Sequence, residues 1–138
     1  MTCITAAPAE DRQLVPGSLD ERGIILHDQL VTTPETVVER QLAAYNSHDL
    51  EAFAATYAPD VCINRRGGDR LLGRDAVRAA YAEQFAKGRC RAEIVGRLTE
   101  GDWVVDHEIA HGVTDDPLRV LVAYRVRDGL IDQVDFLR

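Results

Sequence analysis

The chain has little cysteine, little aromatic surface and no long apolar run in its 138 residues. Its three cysteines, Cys3, Cys62 and Cys90, are odd in number and widely scattered. That excludes a disulfide framework or the paired spacing of a zinc ribbon, and the three read as reduced thiols. No apolar stretch approaches the roughly 20 residues of a membrane span, so the expectation is a soluble protein with no membrane partner. Sixteen basic residues against 23 acidic ones leave a formal charge of −7, with the signs interspersed. A nucleic-acid partner needs clustered basic surface, which is missing. The opening "MTCITAAPAEDRQLVPGSLDERG" carries acids and no apolar core segment; it does not read as a secretory signal, and the expected location is the cytoplasm. No internal repeat is visible. The length suits one domain with a real core.

One motif promises metal chemistry. Residues 104 to 113, "VVDHEIAHGV", contain H-E-x-x-H, which makes a zinc site only on a helix, where residues four apart share a face. Here the two histidines sit in a run with Trp103, Val104, Val105, Ile109 and Val113, the β-branched and aromatic composition of a strand. On a strand His107 and His111 would lie about 13 Å apart, at roughly 3.3 Å per residue, too far to bind one ion. No glutamate follows His111 as a third ligand, and position 114 is Thr rather than Gly. No metal and no cofactor are expected.

The element pattern is helical first and β-rich afterwards. Residues 1 to 33 mix prolines, glycines and charges without a period, an arm in which Ile24 to Val31 could be a short strand. Thr33 then suits an N-cap, Pro34 the first helical position and Glu35 the positive helix end. Val38, Leu42 and Tyr45 form one stripe; Asp49 can cap a second helix carrying Leu50, Phe53 and Tyr57, stopped by Pro59. "DVCINR" alternates as a strand, "RGGD" reads as a turn, and "RDAVRAAYAEQFAKG" is a third helix with Val77, Tyr81 and Phe85 on one face. Four β-rich runs follow, "CRAEIVGRL", "WVVDHEIAHGV", "LRVLVAYRV" and "LIDQVDFL", separated by turns. This order is an α+β arrangement.

Four segments, "AAYNSHDLEAFAATYAPDV", "LLGRDAVRAAYAEQF", "EGDWVVDHE" and "YRVRDGLIDQVDF", in this order and spacing, resemble the nuclear transport factor 2-like superfamily. That group includes SnoaL-like polyketide cyclases, ketosteroid isomerases and limonene epoxide hydrolases. The likeness runs from about Glu35 to Arg138, so residues 34–138 read as a SnoaL-like domain. It implies a cone-shaped α+β barrel, with a helical hairpin and a third helix packed in a strongly curved antiparallel sheet around an apolar pocket. Tyr45, Tyr57 and Tyr81 fall where ketosteroid isomerases carry a tyrosine network. The isomerase's base aspartate corresponds to Arg65 and its oxyanion-hole aspartate to Val122; the epoxide-hydrolase triad falls on Ala110, Glu108 and Phe136.

The resemblance also implies a facing. Asp106, Glu108, Ala110, Val120, Val122, Tyr124, Val134 and Phe136 would point inward, and Trp103, Val105, His107, Ile109 and His111 outward. The inner carboxylates then need a cationic partner, with Arg65 the candidate. The apolar outer face implies a homodimer. The expected site is therefore Glu108, Arg65, Tyr45 and Asp106 as catalytic groups, with Tyr57, Tyr81, Val120, Val122, Tyr124, Val134 and Phe136 against the substrate. The function expected is acid–base catalysis without metal or cofactor on a small, largely apolar oxygenated molecule. The alternative is a non-catalytic ligand-binding or dimerisation module.

Overall fold

A computed structural model describes residues 33–138; the expected arm, including Ile24 to Val31, lies outside them but for Thr33. Helix α1 (Pro34–Asn46) begins where the capping residues stand: the Thr33 side chain accepts from the Thr36 N–H at 3.2 Å, and Pro34 occupies the first turn. Helix α2 (Leu50–Ala55) is capped by Asp49, which accepts from the Ala52 N–H at 3.1 Å. The chain can turn between them because His48 adopts a left-handed φ of 60°. Its Nε2 lies 2.7 Å from the Cys90 carbonyl oxygen.

Strand β1 (Tyr57–Asn64) starts earlier than expected. Tyr57 is its first residue rather than part of α2. Pro59 acts upstream, since a proline forces its predecessor into extended backbone, and the Thr56 hydroxyl closes the helix by donating to the Phe53 carbonyl at 2.8 Å. After the "RGGD" turn comes a short strand not foreseen, β2 (Arg70–Leu72), then α3 (Arg74–Lys87), ended by the left-handed Gly88. The meander follows as expected: β3 (Arg91–Glu100), β4 (Trp103–His111), β5 (Leu118–Arg127) and β6 (Leu130–Phe136). His107 and His111 therefore both stand on a strand.

The six strands run in the order β2-β1-β6-β5-β4-β3. All pairings are antiparallel except β1 with β6, which is parallel. The curved α+β sheet is as expected, and the β1–β6 pair is the one departure from its antiparallel pairing. A connection through α3 and four strands separates β1 from β6, so a hairpin geometry does not dictate their direction. The sheet curls without closing, helped by register shifts at Ile94/Gly96 and Arg125/Val126, where an extra residue bends a strand. Its concave face holds the core of Val104, Val122, Ile131 and Val134 against Val37, Val38, Phe53 and Val77.

Gly112, just past β4, is tightly placed. Its φ is +77°, and a Cβ there would meet the Arg89 carbonyl oxygen at 1.8 Å and its carbon at 2.5 Å. Gly101, in the β3–β4 turn, has a similar φ of +59° but open space around it. Gly101→Ala should cost about 1 kcal/mol, from backbone conformation alone. Gly112→Ala should cost at least about 2 kcal/mol more, because backbone must move. Chemical denaturation of both variants checks this; equal costs would mean that the close approach is not held in solution.

Candidate active site

The curl of the sheet over α1, α2 and α3 leaves a cavity of about 340 Å³, at the small end of ligand sites. Its walls are mostly apolar, with Phe53 and Leu42 from the helices and Ile63, Val120, Val134 and Phe136 from the strands. Strand alternation sets which side chains reach it. On β4, Glu108 and Ala110 line the cavity, whereas Trp103, Val105, His107 and Ile109 occupy the other parity and the convex face.

Glu108 is the carboxyl group on the sheet wall of the cavity. Tyr124 stands opposite Val104 on the neighbouring strand, and its long phenol reaches along the sheet to donate to Glu108 Oε2 at 3.0 Å. Burial drives the Glu108 carboxyl up from 4.5 to about 7; the Tyr124 bond opposes this, Asp106 adds to it and Arg97 opposes it. The carboxyl thus changes protonation near neutral pH. Tyr124 itself is held well above its usual value, by burial first and then by the charge of Glu108.

Three further tyrosines converge on the cavity: Tyr45 from α1, Tyr57 from β1 and Tyr81 from α3. Their rings cluster about Phe53, with centroids at 5.9, 5.2 and 5.0 Å respectively. Burial raises all three, Tyr81 to about 12, so they stay neutral donors at any ordinary pH. Gln41 Nε2 donates to the Tyr57 oxygen at 2.9 Å, and Gln84 Nε2 to the Tyr45 oxygen at 2.6 Å. A phenol oxygen that accepts in this way keeps its own proton to give. The glutamines were not foreseen, although spacing could have found them. Gln41 lies between Val38 and Tyr45 at steps of three and four, and Gln84 follows Tyr81 by three.

The expected site comes together in part. Glu108, Arg65, Tyr45, Tyr57, Tyr81, Val120, Tyr124, Val134 and Phe136 all line the cavity. Val122 does not: it is fully buried in the core beneath it. Asp106 points inward and is 1% exposed, yet it too lies off the cavity, engaged by a different arginine from the one expected. Arg97 grips it in a two-point fork, Nε to Oδ1 at 2.6 Å and Nη2 to Oδ2 at 2.9 Å. The same guanidinium also contacts Glu39 on α1. Arg65, just past the end of β1, does not do this, because strands β6 and β5 lie between β1 and β4; it pairs with Asp69 at 2.8 Å instead. The partner was implicit in the "TEGD" turn. Pairing Glu100 with Trp103 across it puts Arg97 opposite Asp106.

Comparison with known proteins agrees with this architecture. The SnoaL-like domain profile matches residues 38–134. The chain belongs to the SnoaL-like domain family. A search of curated proteins finds no match. Among solved structures, a cystatin-fold protein of uncharacterised function from Novosphingobium aromaticivorans superposes with a TM-score of 0.69 at 24% identity, covering 77% of this chain and 98% of that one. A candidate polyketide cyclase from Sinorhizobium meliloti gives 0.65 at 20% identity, over 72% and 92%. A computationally designed 17-OHP binder gives 0.69 at 22%, over 77% and 94%. At these identities the likeness establishes the SnoaL-like, nuclear transport factor 2-like fold and nothing finer. Among the described residues no helix is long and apolar enough to cross a membrane.

The raised Glu108 carboxyl has a consequence for stability. Its folded value, about 7, lies above the unfolded 4.5, so below pH 4.5 both states are protonated and nothing is lost. Between pH 4.5 and 7 the unfolded carboxyl ionises while the folded one stays protonated, so stability falls by roughly 3 kcal/mol across that window and levels off above pH 7, where both states are ionised. Glu108→Gln should match the parent at pH 4 and exceed its unfolding free energy above pH 8. Parallel denaturation curves with pH would contradict the burial of this carboxyl.

Proposed function

We propose that this SnoaL-like chain is a cytoplasmic, cofactor-independent acid–base enzyme. It acts on a small, largely apolar molecule with an oxygen function held in the cavity. One observation carries the reading: a carboxyl group poised near pH 7 stands in an apolar pocket beside neutral phenols with protons to donate. A carboxylate with a value near ambient pH is both a competent base and a recoverable acid. In this reading Glu108 moves a proton between two positions of the substrate or activates a nucleophile. Tyr57, its oxygen already accepting from Gln41, donates to the oxygen on which negative charge develops. Tyr124 orients the carboxylate. Isomerisation, cyclisation, dehydration and hydrolysis all use this kit. The candidate polyketide cyclase among its structural neighbours is consistent with it.

Asp106 does not act on substrate in this scheme. Off the cavity and clamped by Arg97, it is a positioning residue whose charge raises the Glu108 carboxyl. The alternative, a binding module, shares the cavity and differs at Glu108 alone. Glu108→Gln keeps shape and most hydrogen bonds but cannot shuttle a proton, so turnover should fall by about 10² to 10⁴. The parent's kcat/KM should turn over its limb near pH 7, rising with pH if Glu108 is the base. Unchanged turnover in Glu108→Gln would leave the tyrosines as the catalytic groups.

The convex sheet face is proposed to bury itself against a second copy. Leu98 and Val105 stand in register across β3 and β4, with the already buried Ala123 beside them on β5. Leu98 is 73% and nearby Val95 50% exposed, an apolar strip that water does not favour. Sedimentation should give a dimer for the parent and a monomer for Val105→Glu. A monomeric parent would overturn this proposal.

A further inference from the structure

The cavity's charged lining residues are few and unevenly paired. Besides Glu108 they are Arg65, Arg66 and Asp69, all from the tip of the β1–β2 hairpin. Arg66 and Asp69 are exposed while still lining the cavity, which places this tip at its solvent-open rim. The tip has a fixed shape. The Arg65 N–H donates to the Asp69 carbonyl at 2.9 Å and the Gly68 N–H to the Arg65 carbonyl at 3.2 Å. Gly67 and Gly68 take φ of +91° and +96°, conformations that admit glycine easily.

Arg65 is committed, with Nε and Nη2 both donating to Asp69 Oδ2 at 3.1 and 2.8 Å. Arg66 has no ion-pair or hydrogen-bond partner among the described residues. One cationic charge is therefore left over at the rim. The chain as a whole carries −7, and its field repels anions, so a local cation at the cavity mouth is what an acidic ligand would need to enter. A purely apolar ligand would gain nothing from it.

We infer that the substrate class is an amphipathic carboxylic acid. Its carboxylate is held by the Arg66 guanidinium at the rim, and its apolar body lies against Phe53, Ile63, Val120 and Val134. A guanidinium fork matches a carboxylate in plane and spacing. A phosphate dianion would call for a second free cation, and Arg65 is already held by Asp69. This inference rests on the proposed function only for which end of the molecule faces Glu108.

Calorimetry tests the rim directly. The probes are 2-naphthylacetic acid and 4-biphenylacetic acid, each compared with its neutral primary amide, at about pH 6 and low salt. At that pH the probes are ionised while Glu108 is mostly protonated. At least one acid should bind about fivefold more tightly than its amide, a preference that fades with added salt. Arg66→Ala should abolish the preference and leave the amide's affinity unchanged. Asp69→Asn, which releases Arg65, should enlarge it, a gain that misfolding cannot mimic. Equal binding of acid and amide, no binding of either, or a preference that survives Arg66→Ala would overturn the inference. Glu108→Gln should keep the preference, so lost turnover and lost carboxylate selectivity are separate failures.

Discussion

The site depends on the desolvation of one carboxyl group. A carboxylate moved from water into an apolar wall loses hydration worth several kcal/mol, and the protein either supplies a partner or lets the group take up a proton. Strand β4 does both within three residues. Asp106 receives the full fork of Arg97 and stays beneath the cavity. Glu108, one inward position further along, receives only the Tyr124 hydroxyl. The first is therefore an ion pair in the wall, and the second is a group that titrates near neutrality. Two similar side chains take different roles because one strand beside them carries an arginine at only one level.

The helices serve this arrangement as much as they serve the core. Glu39 on α1 reaches the guanidinium that holds Asp106, tying helix to sheet at the side of the cavity. Gln41 and Gln84 each meet a tyrosine oxygen, so both phenols are satisfied as acceptors; Tyr57 keeps its proton to give, while Tyr45 also meets the Cys90 side chain. Phe53 fills the centre of the ring cluster, which keeps water from the phenols and raises their values.

Much of this was legible in the order of residues. Caps at Thr33 and Asp49, the left-handed end at Gly88 and the period-two runs after it are local signals, and local geometry followed them. The inward parity of Glu108, Tyr124 and Phe136 came from the family resemblance, which chose between the two facings that strand alternation admits. What was misread depended on distance across the sheet. The Arg65 assignment assumed that two inward charges of opposite sign would meet, whereas the strand order keeps β1 and β4 apart. Val122 was given to the cavity because parity tells which face a residue takes, but not how deep the cavity runs along that face. The β1–β6 pairing is parallel through a long connection, and no turn residue encodes it.

The central claim is that Glu108 exchanges its proton near neutral pH. Carboxyl ¹³C NMR on glutamate-labelled protein follows that group directly, with Glu108→Gln to assign its signal. The account predicts a titration midpoint at about 7 for Glu108; a midpoint near 4.5, the value of an ordinary glutamate, would contradict it.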